Sequence, residues 1–92
     1  MSTTALVIGA DVARASLAEL DGYDEIVVLD TSAPELERLL TELADPRLDY
    51  LLGALPVLPL PDASVDLLIG ADPSDPEVAR VLRSGGRVLP AP

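Results

Sequence analysis

The sequence predicts an open, doubly wound α/β domain of five mostly parallel strands and about three helices. Three observations predict it. Short apolar runs alternate with amphipathic segments in the order strand, helix, strand, helix, strand, loop, strand, helix, strand, a pattern built from parallel strands and right-handed crossovers. Two helical segments open on the same start signal, "SAPE" at 32–35 and "SDPE" at 74–77. The 92 residues, 49% of them apolar, suffice for one core and one domain over 1–92.

The elements follow in order. "ALVI" at 5–8 is a continuous apolar run, as in a strand buried on both faces. From Ala10 to Asp21, alanines with Leu17 and Leu20 recur at helical spacing, and Gly22 ends the helix. "EIVVLD" at 25–30 is β-branched and makes the second strand. Ser32 as N-cap, Pro34 in the first turn and Glu35 three residues on begin the next helix, 32–44. Leu36, Leu39, Leu40 and Leu43 give it one apolar stripe, and Asp45-Pro46 stops it. "LDYLL" at 48–52 is the third strand.

In "GALPVLPLPDAS" at 53–64, prolines 56, 59 and 61 forbid a helix and remove ladder donors. The segment reads as an extended loop that turns Val57, Leu58 and Leu60 into the core; a proline-rich recognition ligand is the alternative. "VDLLIG" at 65–70 is the fourth strand. Ser74-Asp75-Pro76-Glu77 caps a helix over 75–84, with Val78, Val81 and Leu82 as its stripe and Ser84-Gly85-Gly86 as its terminator. "RVL" at 87–89 is the fifth strand, and Pro90-Ala91-Pro92 cannot extend a sheet interior.

Composition narrows the partners and the chemistry. Sixteen acidic residues against six arginines give a formal charge of −10, which disfavours nucleic acid and anionic membranes and favours solubility. With no Cys and no His there is no disulfide, no thiolate or imidazole metal site, and no Ser-His or Cys-His catalysis. No stretch approaches the roughly 18 apolar residues of a membrane span. The N-terminus has no basic region before its apolar run, so it does not read as a signal peptide, and a cytoplasmic location is expected.

Several segments, taken in order, resemble the class I S-adenosylmethionine-dependent methyltransferases. "VVLDTSAPELERL" (27–39) is similar to that family's second strand and following helix. "LPLPDASVDLLIG" (58–70) resembles its "LPFPDASFDLV" segment before strand four. "EVARVLRSGGRVL" (77–89) resembles its "E-x-x-R-V-L-K-P-G-G-R-L" signature before strand five. The resemblance runs from Ala5 to Leu89 and implies a Rossmann-like strand order of 3-2-1-4-5. A nucleotide-binding dehydrogenase would also show strand, turn, helix, strand and Asp, but lacks the last two matches.

The departures fall on the ligand site. Where the family has "hh(D/E)hGxGxG", this chain has Leu6-Val7-Ile8-Gly9-Ala10-Asp11-Val12-Ala13. Val7 stands at the acidic position, Gly9 keeps the first glycine, and Asp11 and Ala13 replace the other two. Such glycines let a backbone approach its ligand and take angles that a β-carbon forbids. Asp11 would set a carboxylate near the ligand's own, where two like charges in a partly desolvated cleft cost on the order of 1–3 kcal/mol, or would face the ligand's ammonium instead. The family's adenine-contacting acid falls at Ala54. The resemblance thus leaves Gly9, Asp11, Asp30 and Thr31 as candidate contacts for S-adenosylmethionine, with Asp30 as the ribose ligand. Asp30 also has a structural role open to it, capping the next helix through "DTSAPE". No catalytic and no metal-ligating residue stands out.

The family's helix between strands three and four is replaced by the proline-rich loop, and its sixth and seventh strands and substrate-binding insertions have no counterpart here. One sheet face, covered by the 75–84 helix and that loop, is expected to leave several hundred Å² of apolar surface open, a size that marks interaction sites. A homodimer or a larger protein partner is the expectation.

Three functions remain. The first is a degenerate methyltransferase-like domain, non-catalytic alone, that acts as an assembly or accessory module. The second is an S-adenosylmethionine-binding small-molecule methyltransferase, or a subunit of one, working as an oligomer; methyl transfer needs alignment more than acid–base groups. The third is an α/β module with an unrelated activity.

Overall fold

The computed structural model describes residues 2–53 and 57–91. In chain order the elements are β1 (Thr4–Ile8), α1 (Ala10–Ala15), β2 (Glu25–Asp30), α2 (Ala33–Leu43), β3 (Leu48–Leu52), β4 (Val65–Ile69), α3 (Pro76–Val81) and β5 (Leu82–Leu89). All five strands are parallel, in the order β3-β2-β1-β4-β5. The doubly wound topology is as the sequence predicts.

β1 is central because it is apolar on both sides: Ala5, Leu6 and Val7 are fully buried. Alternation along the strands separates two clusters. Ala5, Val7, Ile26, Val28, Leu67 and Ile69 meet Ala10, Ala13 and Leu20 of the α1 region and Leu36 and Leu39 of α2. On the opposite face, Leu6, Leu29, Val65 and Leu68 meet Leu58 with Val78 and Val81 of α3. The second face is therefore better closed than expected. Large apolar side chains that stay open among the described residues are Leu17, Leu52 and Val57, none of them on the central strands.

Arg80 explains how a proline-rich loop can do a helix's work. Its guanidinium donates to the carbonyls of Leu60 (2.8 Å) and Leu58 (2.9 Å) and to the Asp62 carboxylate (2.7 Å). Glu77 accepts from Arg80 at 2.6 Å and from the Leu58 amide at 2.9 Å. Prolines 59 and 61 cannot donate, so side chains of α3 satisfy the loop's backbone instead. Leu58 is buried and Leu60 half-buried as expected; Val57, expected in the core, is 69% exposed.

Three boundaries differ from the sequence reading. α1 ends at Ala15, and 16–22 form successive turns in which Glu19 and Leu20 donate to the carbonyls of Ser16 and Leu17. Ala13, Ala15, Ser16 and Ala18 offer no large anchor for a second turn; the tighter winding buries Leu20 and leaves Leu17 48% exposed. α3 ends at Val81, and Leu82, extended at φ −74° and ψ 129°, already pairs with Val65. Ser84-Gly85-Gly86 is thus part of β5 and not a helix terminator: Leu67 next pairs with Arg87, so residues 83–86 bulge opposite Asp66. Asp66 fixes that bulge by accepting from Arg83 (2.9 and 3.0 Å) and from the Thr4 amide (2.8 Å). Finally, Asp75 caps α3 by accepting from Glu77 N–H at 2.9 Å, while Ser74 turns to Asp72. The Ser32 cap of α2 is as expected, accepting from Glu35 N–H at 3.4 Å.

Candidate functional site

In an open parallel sheet, ligands bind beyond the carboxyl ends of the strands where the strand order reverses. Here that point lies between β1 and β4. The β1–α1 turn carries Gly9 at φ 108°, and Gly70 directly follows β4 at φ 100°, both backbone angles that L side chains rarely adopt. The strands come so close that a β-carbon on Gly70 would lie 2.8 Å from the Ile8 carbonyl oxygen.

Val12 fills the space these glycines leave. Its Cγ2 lies 3.4 Å from the place a β-carbon would take on Gly9, and its Cγ1 3.5 Å from that place on Gly70. One isopropyl group therefore lies beside both glycines, where a β-carbon on either would touch it. Val12 stands between the two replaced glycines, and the sequence reading passed over it. The missed signal was a β-branched side chain at that turn, together with the glycine that closes "VDLLIG".

Asp30 is brought to the same crevice from the end of β2. Its Oδ2 accepts from the Ala10 amide at 2.9 Å and its Oδ1 from the Ser32 amide at 3.1 Å. The Ala10 bond is the largest reason its carboxyl is held below the usual range; partial burial opposes it, and the Ser32 and Thr31 amides reinforce it. The carboxylate is thus an ionised clip joining the β1–α1 and β2–α2 turns. Thr31 sits exposed beside it. The Gly9 N–H is engaged as well, donating to Leu29 C=O at 2.7 Å.

Asp11 is not where the expected charge clash needs it. Its side chain is 95% exposed and paired with Arg14 at 2.7 Å, a guanidinium that also reaches Glu42 (2.8 Å) and Glu35 (3.7 Å) on α2. A carboxylate at the first helical turn is drawn to the cation one turn on, along the helix surface. Of the predicted contacts, the crevice unites Gly9 and Asp30 and leaves Asp11 outside. Val7, at the family's acidic position, is fully buried. Ala54, at the family's adenine-contacting position, lies outside the described residues.

An open concavity of about 510 Å³ lies to one side, beyond β4 and β5, lined by Gly70, Ala71, Asp72, Pro73, Val88 and Pro90 among others. Its one carboxylate, Asp72, already accepts from the Ser74 amide (2.9 Å) and hydroxyl (2.8 Å), which hold its pKa down. Among the described residues no three His, Cys, Asp or Glu side chains are placed to hold a metal ion.

No protein-family model matches the chain, and no curated protein matches it. Solved structures do. A candidate methyltransferase of Haloferax volcanii, in complex with the Trm112 methyltransferase activator, matches at 27% identity and TM-score 0.75, over 92% of this chain and 42% of its own. YcgJ of Bacillus subtilis matches at 27% and 0.75, over 96% and 43%. A candidate S-adenosylmethionine-dependent methyltransferase of Methanococcus maripaludis matches at 25% and 0.75, over 97% and 48%. The chain spans less than half the length of each of these three.

Proposed function

We propose, on the premise that this chain is a relative of the class I S-adenosylmethionine-dependent methyltransferases spanning under half the length of those it matches, that it is an accessory module and not a methyltransferase in its own right. The observation that carries the reading is Val12, whose side chain lies beside both Gly9 and Gly70, in the space where a cofactor's tail would lie. An adenosyl ligand whose tail crossed these glycines would have to displace the Val12 side chain. That displacement costs free energy at the binding step, before any methyl group is aligned. The match to a protein solved with a methyltransferase activator supports a role exercised through another chain.

Calorimetry with S-adenosylmethionine and S-adenosylhomocysteine tests it. The expected result is no heat and no thermal shift at millimolar ligand for the wild type, with binding gained by Val12→Gly. Micromolar binding by the wild type, abolished by Asp30→Ala, would establish the second reading, a ligand-binding subunit of an oligomeric enzyme.

A further inference from the structure

The two rims of the sheet are finished differently. β5 is interrupted by the bulge at 83–86 and followed by Pro90, which has no N–H to offer. Bulges and prolines are common means of stopping a strand edge from recruiting another chain. β3 has neither, and keeps unbroken register with β2 from Ile26↔Leu48 to Asp30↔Leu52.

The hydrogen bonds of β3 show which of its groups are free. Ile26 N–H donates to the Arg47 carbonyl at 3.0 Å and Gly53 N–H to the Asp30 carbonyl at 3.1 Å. Residues 47, 49, 51 and 53 therefore face β2, and the backbone groups of Leu48, Tyr50 and Leu52 face outward, where no described strand meets them. The outward N–H of Tyr50 is taken by the carboxylate of Asp49 at 2.8 Å. The Tyr50 carbonyl and Leu52 N–H carry no such guard. Leu52 is also 56% exposed, and Val57, five residues on, is 69% exposed.

We propose that the β3 edge docks an extended, basic segment of another protein by strand addition, with a Lys or Arg facing Asp49 and an apolar residue over Leu52. Charge selects the occupant. Asp49 has no ion pair among the described residues, and the nearby Arg47 is committed to Asp45 at 2.8 Å and to the Leu20 and Tyr23 carbonyls. An incoming cation would draw the Asp49 carboxylate off Tyr50 and release that N–H to the new ladder. A second copy offers only Arg87 as a cation unpaired among the described residues, on the strand that the bulge and Pro90 interrupt, and it sets one chain of charge −10 against another. The proposal deepens the accessory reading by naming the partner's chemistry, yet the edge can be tested apart from the crevice.

The probe is a synthetic octapeptide of alternating lysine and valine, compared with its glutamate counterpart, added to the full chain while amide exchange is followed by NMR. At saturating lysine peptide, exchange of Tyr50 and Leu52 amides slows at least tenfold, Val88 on β5 is unchanged, and the glutamate peptide has no effect. Leu52→Pro removes an outward donor that β2 does not use, so protection is lost while the far-ultraviolet circular dichroism is retained. Asp49→Lys reverses the preference between the two peptides. Protection that maps elsewhere, or none at millimolar peptide, overturns the proposal. A dimer of the chain alone that Leu52→Pro dissolves would also overturn it, giving the edge to a second copy. Wild-type affinity for S-adenosylmethionine would instead sink the accessory reading and leave these edge measurements standing.

Discussion

Asp30 ties two turns together through one carboxylate. A carboxylate that accepts one amide from each of two turns is a structural clip. Asp30→Ala would leave the Ala10 and Ser32 donors without their acceptor, and an unsatisfied buried donor costs about 1–3 kcal/mol. The expected loss of that size is measurable as a lower urea midpoint at unchanged slope. Gly70→Ala should cost a similar amount, about 1–3 kcal/mol, because its β-carbon would meet the Ile8 carbonyl oxygen at 2.8 Å with φ near 100°. Val12→Ala, by contrast, opens the crevice at about 1 kcal/mol, as only two partly buried methyl groups are removed. Sequence reading gave Asp30 a structural role because "DTSAPE" joins a strand end to a helix cap. It could not find Val12, whose meaning depends on Gly70, 58 positions away and visible only once β1 and β4 pair.

At the scale of elements, what was legible is what local chemistry decides. The Ser32 cap with the leucine stripe fixes α2 to within a residue or two, and the apolar runs fix β1 to β4. The ends of α1 and α3 were not legible because a distant contact sets each: burial of Leu20 for one, pairing of Leu82 with Val65 for the other. The same holds for the loop that caps the second sheet face, whose prolines are plain in the sequence while the clasp that holds them is not. Its pH dependence is a direct test. The Arg80 hydrogen bond, aided by the Leu58 amide and opposed by desolvation, lowers the Glu77 pKa from 4.5 to about 2. Because the folded value is depressed, the clasp contributes fully above pH 4.5 and its contribution fades as pH falls toward 2. The stability gap between wild type and Glu77→Gln should therefore be flat near neutral pH and close across that interval, as read by thermal melts. A gap that stayed constant down to pH 2 would mean that ionised Glu77 does not hold the loop. Hydrogen exchange gives the local counterpart: Glu77→Ala frees the Leu58 amide while the β1 amides stay protected.

The molecule as a whole carries more charge than its pairs can absorb. Arg14, Arg38, Arg47, Arg80 and Arg83 all have carboxylate partners, yet sixteen acids outnumber six arginines. Two electrostatic effects then compete when salt is added. Screening weakens the ion pairs, but most involve partly exposed groups, and such pairs are worth about 0–1 kcal/mol each. It also weakens repulsion among the surplus carboxylates, which extends over the full molecular span of 32 × 27 × 23 Å. The Debye length shrinks from about 30 Å at 0.01 M to about 10 Å at 0.1 M and about 3 Å at 1 M. Repulsion across the molecule is therefore lost at salt concentrations that leave contacts of 2.6–2.9 Å largely intact. The net effect should be stabilising: raising sodium chloride from 10 to 500 mM (values chosen to span that range) should lift the thermal midpoint by several degrees. A gain of about 1 kcal/mol corresponds to roughly 4–8 °C for a domain of this size. Scanning calorimetry at pH 7 reads this directly, and a midpoint that fell with salt would mean that the ion pairs of α1–α2 and of the Arg80 clasp outweigh the net charge of −10.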